Sequence, residues 1–294
     1  MKAKSAVRAV LRAAVASDAC WRVIRRTLVP AAEYAASHRK VLERWEMVAP
    51  IVEQMMPDLR VATGPFQGMQ YPELRYFGGE IFPKFLGSFE RELHPIVEEI
   101  CGSNYSEVVN IGCAEGHYLV GLGMRRPGAR LYGYDIDPAV RAFCGWMAER
   151  NGVADRLELG GFCNRETLLA LPLRRALILS DCEGYEAELF DAATVEKLAG
   201  HDFLIEVHDN FQIETSSKLL RAFAATHTVE RISSLDDIAK AREYDYPQMR
   251  GYDLRMRKEL LMEGRSAIME WFFCRSTVAL RPGKRASRDS RVLV

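Results

Sequence analysis

The sequence predicts an α/β fold in which helices cover both faces of a parallel β-sheet. Between residues 106 and 280, short apolar runs alternate with helical stretches such as Ala139–Arg150. That alternation is typical of parallel sheets whose strands are joined by helical crossovers. The chain has 294 residues, 48% of them hydrophobic and 27% charged, which is globular composition and excludes a disordered or coiled-coil protein. This length allows one large domain with a smaller appendage.

Seven apolar runs are the predicted strands of that domain. They are Val108–Ile111, Arg130–Tyr134, Arg156–Leu159, Ala176–Leu179, Phe203–Val207, Thr228–Ile232 and Met269–Cys274. The long segment 233–267, between the last two strands, exceeds an ordinary hairpin loop, and we predict that it covers the substrate. The tail 281–294 is basic and is expected to be disordered.

Residues 1–60 are predicted to form an N-terminal helical extension. Trp21, Ile24 and Leu28 follow helical spacing. Residues 1–44 contain ten Lys and Arg against three acids. Two interpretations stay open: the extension packs on the main domain or on a second subunit, giving a homodimer, or it lies on anionic lipid.

Residues 61–105 are predicted to form a connector of one hairpin and one helix. Turn residues such as Gly64 and Gly68 separate short extended pieces, which favours a hairpin. The stretch Phe85–Ile100 carries apolar residues on one helical side, which predicts a helix.

Charge and cysteine content exclude several classes of protein. Forty basic and 40 acidic residues cancel, so no overall field favours nucleic acid. The longest uncharged run, Val61–Pro72, contains Gly and Pro and is shorter than the roughly 20 apolar residues that a membrane span requires. Seven cysteines, an odd number without metal-ligand spacing, indicate reduced thiols and a cytoplasmic protein.

A glycine turn after the first strand is the most informative motif. Gly112 and Gly116 turn the chain from a buried strand into a helix, and glycine there lets backbone approach a ligand. Asp135 ends the next strand, where a carboxylate can accept both hydroxyls of an adenosine ribose. Ala114 and His117 depart from the dinucleotide pattern G-x-G-x-x-G, which disfavours a nicotinamide or flavin cofactor with a pyrophosphate.

Carboxylates and one histidine follow the fourth and fifth strands. Asp181 and Glu183 come after the fourth strand, and Glu206, His208 and Asp209 end the fifth. Ligands of open α/β sheets bind outside the carboxyl ends of strands, next to the point where strand order reverses. If the first and fourth strands flank that point, these side chains face the cofactor. A histidine titrates near neutral pH and is the candidate base there.

These motifs resemble those of class I S-adenosylmethionine (SAM) methyltransferases, and specifically the FkbM family. The glycine turn is similar to the first motif of the class. The segment Asp-Cys-Glu-Gly-Tyr-Glu at 181–186 resembles the Asp-x-Glu-Gly-x-Glu motif of FkbM proteins, and Glu206-Val-His208 resembles their Glu-x-His motif. The resemblance spans about 106–275. It implies a Rossmann-like sheet of seven strands with the last strand antiparallel, and O-methyl transfer to a sugar or natural-product hydroxyl.

On this interpretation SAM is the cofactor and a small molecule the acceptor. The expected cofactor-binding residues are Asn110, Gly112, Cys113, Ala114, Glu115, Gly116, Tyr118, Asp135, Ile136, Gly161, Phe162 and Asp181. We expect Phe162 to stack on adenine, and Glu115 and His117 to lie near the methionine end. The expected catalytic residues are His208, as base, with Asp181 or Glu206 orienting it. An alternative is a bound Mg²⁺ that lowers the pKa of the acceptor hydroxyl.

The acceptor site is predicted from residue type alone. Its candidates combine carboxylate, aromatic and guanidinium groups, which suit sugars or acidic groups: Glu183, Tyr246, Arg250, Tyr252 and Arg265. Other functions stay open, namely N- or C-methyl transfer on the same scaffold, a non-catalytic SAM-binding domain, and a nicotinamide dehydrogenase.

Overall fold

A computed structural model of the chain describes residues 11–75, 81–210, 212–265 and 267–278. The predicted tail 281–294 lies outside these residues. The chain divides into two compact units, the second beginning at Ile51. No helix in the described part of the chain combines the length and the apolarity needed to cross a lipid bilayer.

Residues 11–16 are helical, and eleven further α-helices follow them in the described residues. They are α1 Asp18–Met55, α2 Ile81–Leu86, α3 His94–Gly102, α4 His117–Arg125, α5 Pro138–Arg150, α6 Arg165–Ala170, α7 Glu186–Leu189, α8 Ala192–Lys197, α9 Thr215–Phe223, α10 Asp237–Glu243 and α11 Leu254–Leu261. Three short 3₁₀ helices are Arg91–Leu93, Ala154–Arg156 and Pro247–Met249.

In the part of the chain that the structure describes, seven strands form one mixed sheet in the order β3-β2-β1-β4-β5-β7-β6. They are β1 Glu107–Ile111, β2 Arg130–Tyr134, β3 Leu157–Gly160, β4 Ala176–Ser180, β5 Asp202–Val207, β6 His227–Ser233 and β7 Glu270–Ser276. Strands β1 to β5 pair in parallel, and β7 runs antiparallel to both β5 and β6. The predicted strands, the seven-stranded α/β sheet and its antiparallel last strand are confirmed.

The central strands are buried on both faces, which explains why they are continuous apolar runs. All five residues of β1 and of β4 are buried. Helix α4 packs against β1 and β2, and an aromatic cluster of Phe190, Phe203 and Phe223 lies under the other end of the sheet. The strand order reverses between β1 and β4, where Ile111 pairs with Ser180. The carboxyl ends of these two strands therefore flank the crevice in which ligands of such sheets bind.

The prediction of one helix over Phe85–Ile100 is wrong, because the chain breaks between α2 and α3. Gly87 has φ +81°, and a Cβ there would lie 1.9 Å from the carbonyl oxygen of Thr63. Glu90 also has a left-handed backbone, with φ 48°. Apolar periodicity cannot show this break, since a contact with residue 63 imposes it. The break directs the Glu90 side chain into the protein, where it is 2% exposed.

The region 60–70 forms a tight antiparallel turn. Arg60 and Gln70 form an antiparallel bridge, and the Val61 amide donates to the Met69 carbonyl at 2.9 Å. Helices α10 and α11 lie between β6 and β7 and contact each other, and α11 contacts α2. The described residues of the segment 233–267 thus form a helical excursion that contacts the connector.

Candidate functional site

The glycine turn and Asp135 form one hydrogen-bonded unit at the ends of β1 and β2. The Tyr134 carbonyl accepts the amides of Gly112 and Cys113. The Asp135 carboxylate accepts the Ala114 amide at 3.0 Å through Oδ2 and the Asp137 amide at 2.9 Å through Oδ1. Each carboxylate oxygen has two lone pairs, so both can still accept a hydrogen bond from a ligand. The turn therefore fixes the orientation of Asp135 before any ligand binds.

Packing within the protein requires both glycines of the turn. Gly112 has φ +75°, and a Cβ there would lie 1.7 Å from the carbonyl oxygen of Asp181. Gly116 has φ +97°, and a Cβ there would lie 2.7 Å from Sγ of Cys144. The sequence predicts a ligand against these glycines, whereas the atom nearest Gly112 is the carbonyl oxygen of Asp181, directly after β4. The close approach joins the two halves of the crevice.

Two large apolar side chains are exposed beside Asp135. Ile136, at the end of β2, is 76% exposed, and Phe162, after β3, is 60% exposed. The Phe162 ring centroid lies 5.2 Å from that of Tyr185. No described atom lies within 4 Å of a Cβ built on Gly161, so the backbone there borders open space. These groups form an apolar rim next to a carboxylate.

Side chains in and directly after the glycine turn form contacts with the connector and do not point freely into the crevice. Glu115 is 2% exposed and forms an ion pair with Lys84 at 2.6 Å. The Tyr71 hydroxyl lies 2.8 Å from Nδ1 of His117, and the Tyr118 hydroxyl donates to the Glu90 carboxylate. Asn110, inside β1, is also buried. These contacts attach the connector firmly to the turn.

His208 is buried at the end of β5 and is held by Glu186. Its Nδ1 lies 2.6 Å from Oε1 of Glu186, whose side chain is fully buried. The same oxygen accepts the amides of Cys182 at 3.3 Å and Gly184 at 3.2 Å, which fixes the carboxylate. Burial disfavours the charged imidazolium, but the hydrogen bond and negative charge of Glu186 outweigh it and raise the pKa of His208.

The other ring nitrogen of His208 faces two carboxylates from the loop after β4. Nε2 lies 3.5 Å from Oδ1 of Asp181 and 3.6 Å from Oε2 of Glu183. Glu183 is exposed and has φ 55°, a backbone conformation that few residues other than glycine adopt. Burial of one side of Asp181, together with the nearby charge of Glu206, raises the pKa of Asp181 well above its ordinary value.

Arg265 links Glu206, at the end of β5, to Glu90 of the connector through ion pairs. Its guanidinium forms ion pairs with Glu206, Glu90 and Glu263, and all three carboxylates are buried. Lys240, a fully buried lysine on α10, also pairs with Glu263. Burial raises the pKa of Glu90 to about 8, with Arg265 opposing the rise and the neighbouring carboxylates adding to it. This ionic network connects the segment 233–267 to the end of β5.

The structure brings together only part of the predicted site. Asp181, Glu183, Glu206, His208 and Arg265 lie in one cluster. Within the described residues, Tyr246, Arg250 and Tyr252 form no hydrogen bond or ion pair with that cluster. Arg250 is exposed and Tyr252 is half-buried. Tyr246 contacts Tyr244 and lies 5.4 Å from the Arg91 guanidinium.

The cluster contains ligands that suit a divalent cation. One atom each of Asp181, Glu206 and His208 lies within 4.8 Å of the other two, and oxygen with imidazole ligands fits Mg²⁺ or Mn²⁺. Oδ1 of Asp181 is buried and has no hydrogen-bond partner among the described residues. Glu206, however, already binds the guanidinium of Arg265. That guanidinium supplies the positive charge that a cation would bring to Glu206.

Sequence reasoning missed several residues that shape the site. Glu186 belongs to the Asp-x-Glu-Gly-x-Glu motif, but the sequence prediction assigns it no role in the site. Its position in the same strand-end loop as Asp181 was a usable signal that it lies near His208. Lys84 and Glu90 carry no such signal, because they reach the glycine turn and Arg265 from a distant part of the chain. Only the folded connector shows that these charges belong to the site.

No family model matches the chain, and no curated protein matches it. Two distantly similar solved structures are a precorrin-6y C5,15-methyltransferase from Geobacter metallireducens GS-15 and a geranyl diphosphate C-methyltransferase from Streptomyces coelicolor A3(2). The first is 14% identical, covers 62% of this chain and 87% of its own, and has a TM-score of 0.41. The second is 14% identical, covers 80% and 98%, and has a TM-score of 0.43. It was solved with Mg²⁺, geranyl-S-thiolodiphosphate and S-adenosyl-L-homocysteine.

Likenesses this distant do not identify what the chain binds or transforms. The fold assignment rests on the strand order and the antiparallel last strand, which are those of the class I methyltransferase sheet. Membership of the FkbM family stays a prediction.

Proposed function

We propose that the protein is a SAM-dependent methyltransferase that transfers a methyl group to a hydroxyl of a small molecule, such as a sugar or secondary metabolite. The observation that carries the proposal is the placement of the His208–Glu186 pair. It lies at the carboxyl end of the sheet, on the strand next to the β1–β4 crevice. A buried imidazole held by a carboxylate in such a crevice is suited to remove a proton.

The cofactor assignment depends on the nucleoside end of the crevice. Asp135 has two fixed oxygens for the ribose hydroxyls, and exposed Ile136 and Phe162 offer apolar surface to an adenine ring. Ala114 stands at the position where the dinucleotide pattern has glycine, so a pyrophosphate would have to approach a methyl group there. These features favour an adenosine without phosphates, as in SAM, over NAD.

The residues around His208 are arranged for proton transfer from a weak nucleophile. SAM, when bound, supplies a sulfonium-activated methyl group. Glu186 accepts the Nδ1–H of His208, so the lone pair lies on Nε2 and can take the proton of an acceptor hydroxyl. The imidazolium that forms is stabilised by Glu186, and Asp181 and Glu183 face its other nitrogen. General-base catalysis of this kind contributes about 10²–10⁴-fold in rate.

In this proposal the Arg265–Glu206 ion pair forms one rigid side of the acceptor-binding site. Their ion pair is nearly buried and joins β5 to the chain just after α11. A rigid wall holds the acceptor oxygen in line with the methyl group, which lowers the entropic part of the barrier. The exposed Glu183 carboxylate completes the acceptor side at the mouth.

The proposal is tested with SAM carrying a deuterated methyl group and a panel of hydroxyl, amine and carbon acceptors. Mass spectrometry identifies a labelled product and the atom that received the label. We expect a hydroxyl product, made at least about 100-fold more slowly by His208→Gln. His38→Gln, at an exposed histidine of α1, is the matched control and keeps wild-type turnover.

Three results would contradict the proposal. Full turnover of His208→Gln on an amine would indicate N-methyl transfer without a base. Transfer to carbon would indicate C-methylation. Tight SAM binding with no labelled product from any acceptor would indicate a non-catalytic SAM-binding domain.

A further inference from the structure

The N-terminal segment 1–32, which includes the first turns of α1, carries charge that the rest of the chain does not share. In residues 1–32 there are seven Lys and Arg against one acid, Asp18, although the whole chain has no net charge. The described part of this segment is helical apart from a bend at Ser17. A strongly basic segment within a neutral protein indicates a local partner of opposite charge.

One side of this helix combines three apolar and three basic side chains, which we term the basic–apolar face. The face consists of Trp21, Ile24, Leu28, Arg22, Arg25 and Arg26. The apolar residues are three and four positions apart, so they form one stripe. Arg25 borders this stripe, and Arg22 and Arg26 lie further round the same flank of the helix. Leu28 is 64% exposed and Trp21 is 37% exposed, and all three arginines are exposed.

The arginines of this face have no carboxylate partner within the part of the chain that the structure describes. Further along α1, by contrast, Arg39 pairs with Glu43 at 2.8 Å. Apolar side chains with unneutralised guanidinium groups beside them match the boundary between acyl chains and anionic headgroups. A tryptophan on such a face fits the same boundary.

We infer that the basic–apolar face binds the surface of membranes rich in anionic lipid, with Trp21 and Leu28 inserted and the arginines at the headgroups. The rival occupant is a second copy of the chain. In a parallel pairing through the same stripe, Arg25 of one copy would lie near Arg25 of the other, and the positive charge of the two N-terminal segments would repel. Charge complementarity therefore favours lipid. The inference is independent of the proposed methyl transfer.

The test is co-sedimentation of the full chain with vesicles of phosphatidylcholine alone or of phosphatidylcholine mixed equally with phosphatidylglycerol. We expect binding to the anionic vesicles only, and weaker binding as salt rises. Each basic residue near an anionic surface contributes roughly a fivefold gain in affinity. Reversing three charges in R22E/R25E/R26E should therefore weaken binding by at least about 100-fold.

The matched control makes the same change of charge at exposed basic residues elsewhere, in R150E/K197E/R221E. We expect it to keep vesicle binding, and both triple variants to keep the helical circular dichroism of the wild type. The inference is overturned if wild-type protein binds neither kind of vesicle, binds both equally, or loses binding equally in both triple variants. It is also overturned if the chain ignores vesicles but forms a dimer that Leu28→Glu dissociates, because the second copy is then the occupant.

Discussion

The pairing of His208 with Glu186 makes a sharp prediction for Glu186→Gln. Glutamine has nearly the same shape and can still accept the amides of Cys182 and Gly184, but it removes the charge 2.6 Å from Nδ1 of His208. A hydrogen bond to a charged group contributes about 1.5–3 kcal/mol, and one pKa unit corresponds to about 1.4 kcal/mol. We therefore expect the pKa of His208 to fall by about one to two units.

The assay is an NMR titration of the histidine ring protons, with the His208 signal assigned from its absence in His208→Gln. Because the folded pKa of His208 is raised, its contribution to stability is complete at low pH and is lost as pH rises through that pKa. Glu186→Gln should weaken this contribution and move the loss to lower pH. If the variant is active, the acid limb of its rate profile should also move to lower pH.

The matched control is Glu188→Gln, an exposed carboxylate on the same short helix α7. It should leave the His208 titration unchanged. A His208 pKa that is unchanged or raised in Glu186→Gln, with wild-type thermal stability, would refute the argument that Glu186 sets the protonation of the base.

Three further predictions concern the residues that support the site. Gly112→Ala should destabilise the fold by at least about 3 kcal/mol in urea unfolding, because its methyl group would lie 1.7 Å from the Asp181 carbonyl oxygen. Gly161→Ala is the control: its methyl group meets open space, so it should change the free energy of unfolding by less than about 1 kcal/mol. Arg265→Met should lower stability by about 3–5 kcal/mol, since it leaves buried carboxylates unpaired, and an unchanged unfolding midpoint would contradict the buried ionic network. Because the pKa of Glu90 is raised to about 8 from an ordinary 4.5, its ionisation should cost stability as pH rises across that range, and Glu90→Gln should flatten this part of the stability–pH curve.

The sheet could be predicted from sequence because its signal is local. Each central strand is buried on both faces, so strands such as β1 and β4 appear as uninterrupted apolar runs. The meeting of Asp181 with His208 could also be predicted, since the carboxyl ends of neighbouring parallel strands share one edge.

The rest depends on contacts between distant parts of the chain. The helix break at Gly87 results from its approach to Thr63, and no periodicity encodes that approach. Glu90 enters the site through Arg265, far away in sequence, so its charge could not be assigned to the site beforehand. The sequence predicts that Gly112 is glycine because a ligand approaches it, whereas in the structure the backbone of Asp181 leaves no room for a side chain there.

Calorimetric titration of the protein with S-adenosylhomocysteine and, separately, with NAD tests most directly whether the crevice binds SAM. We predict saturable binding of S-adenosylhomocysteine and none of NAD. Asp135→Asn should weaken binding about 10- to 100-fold by removing a charged acceptor, while Asp137→Asn, a neighbouring cap of α5, should change it only a few-fold. Binding of NAD alone, or equal weakening by the two variants, would contradict the assignment of the crevice to SAM.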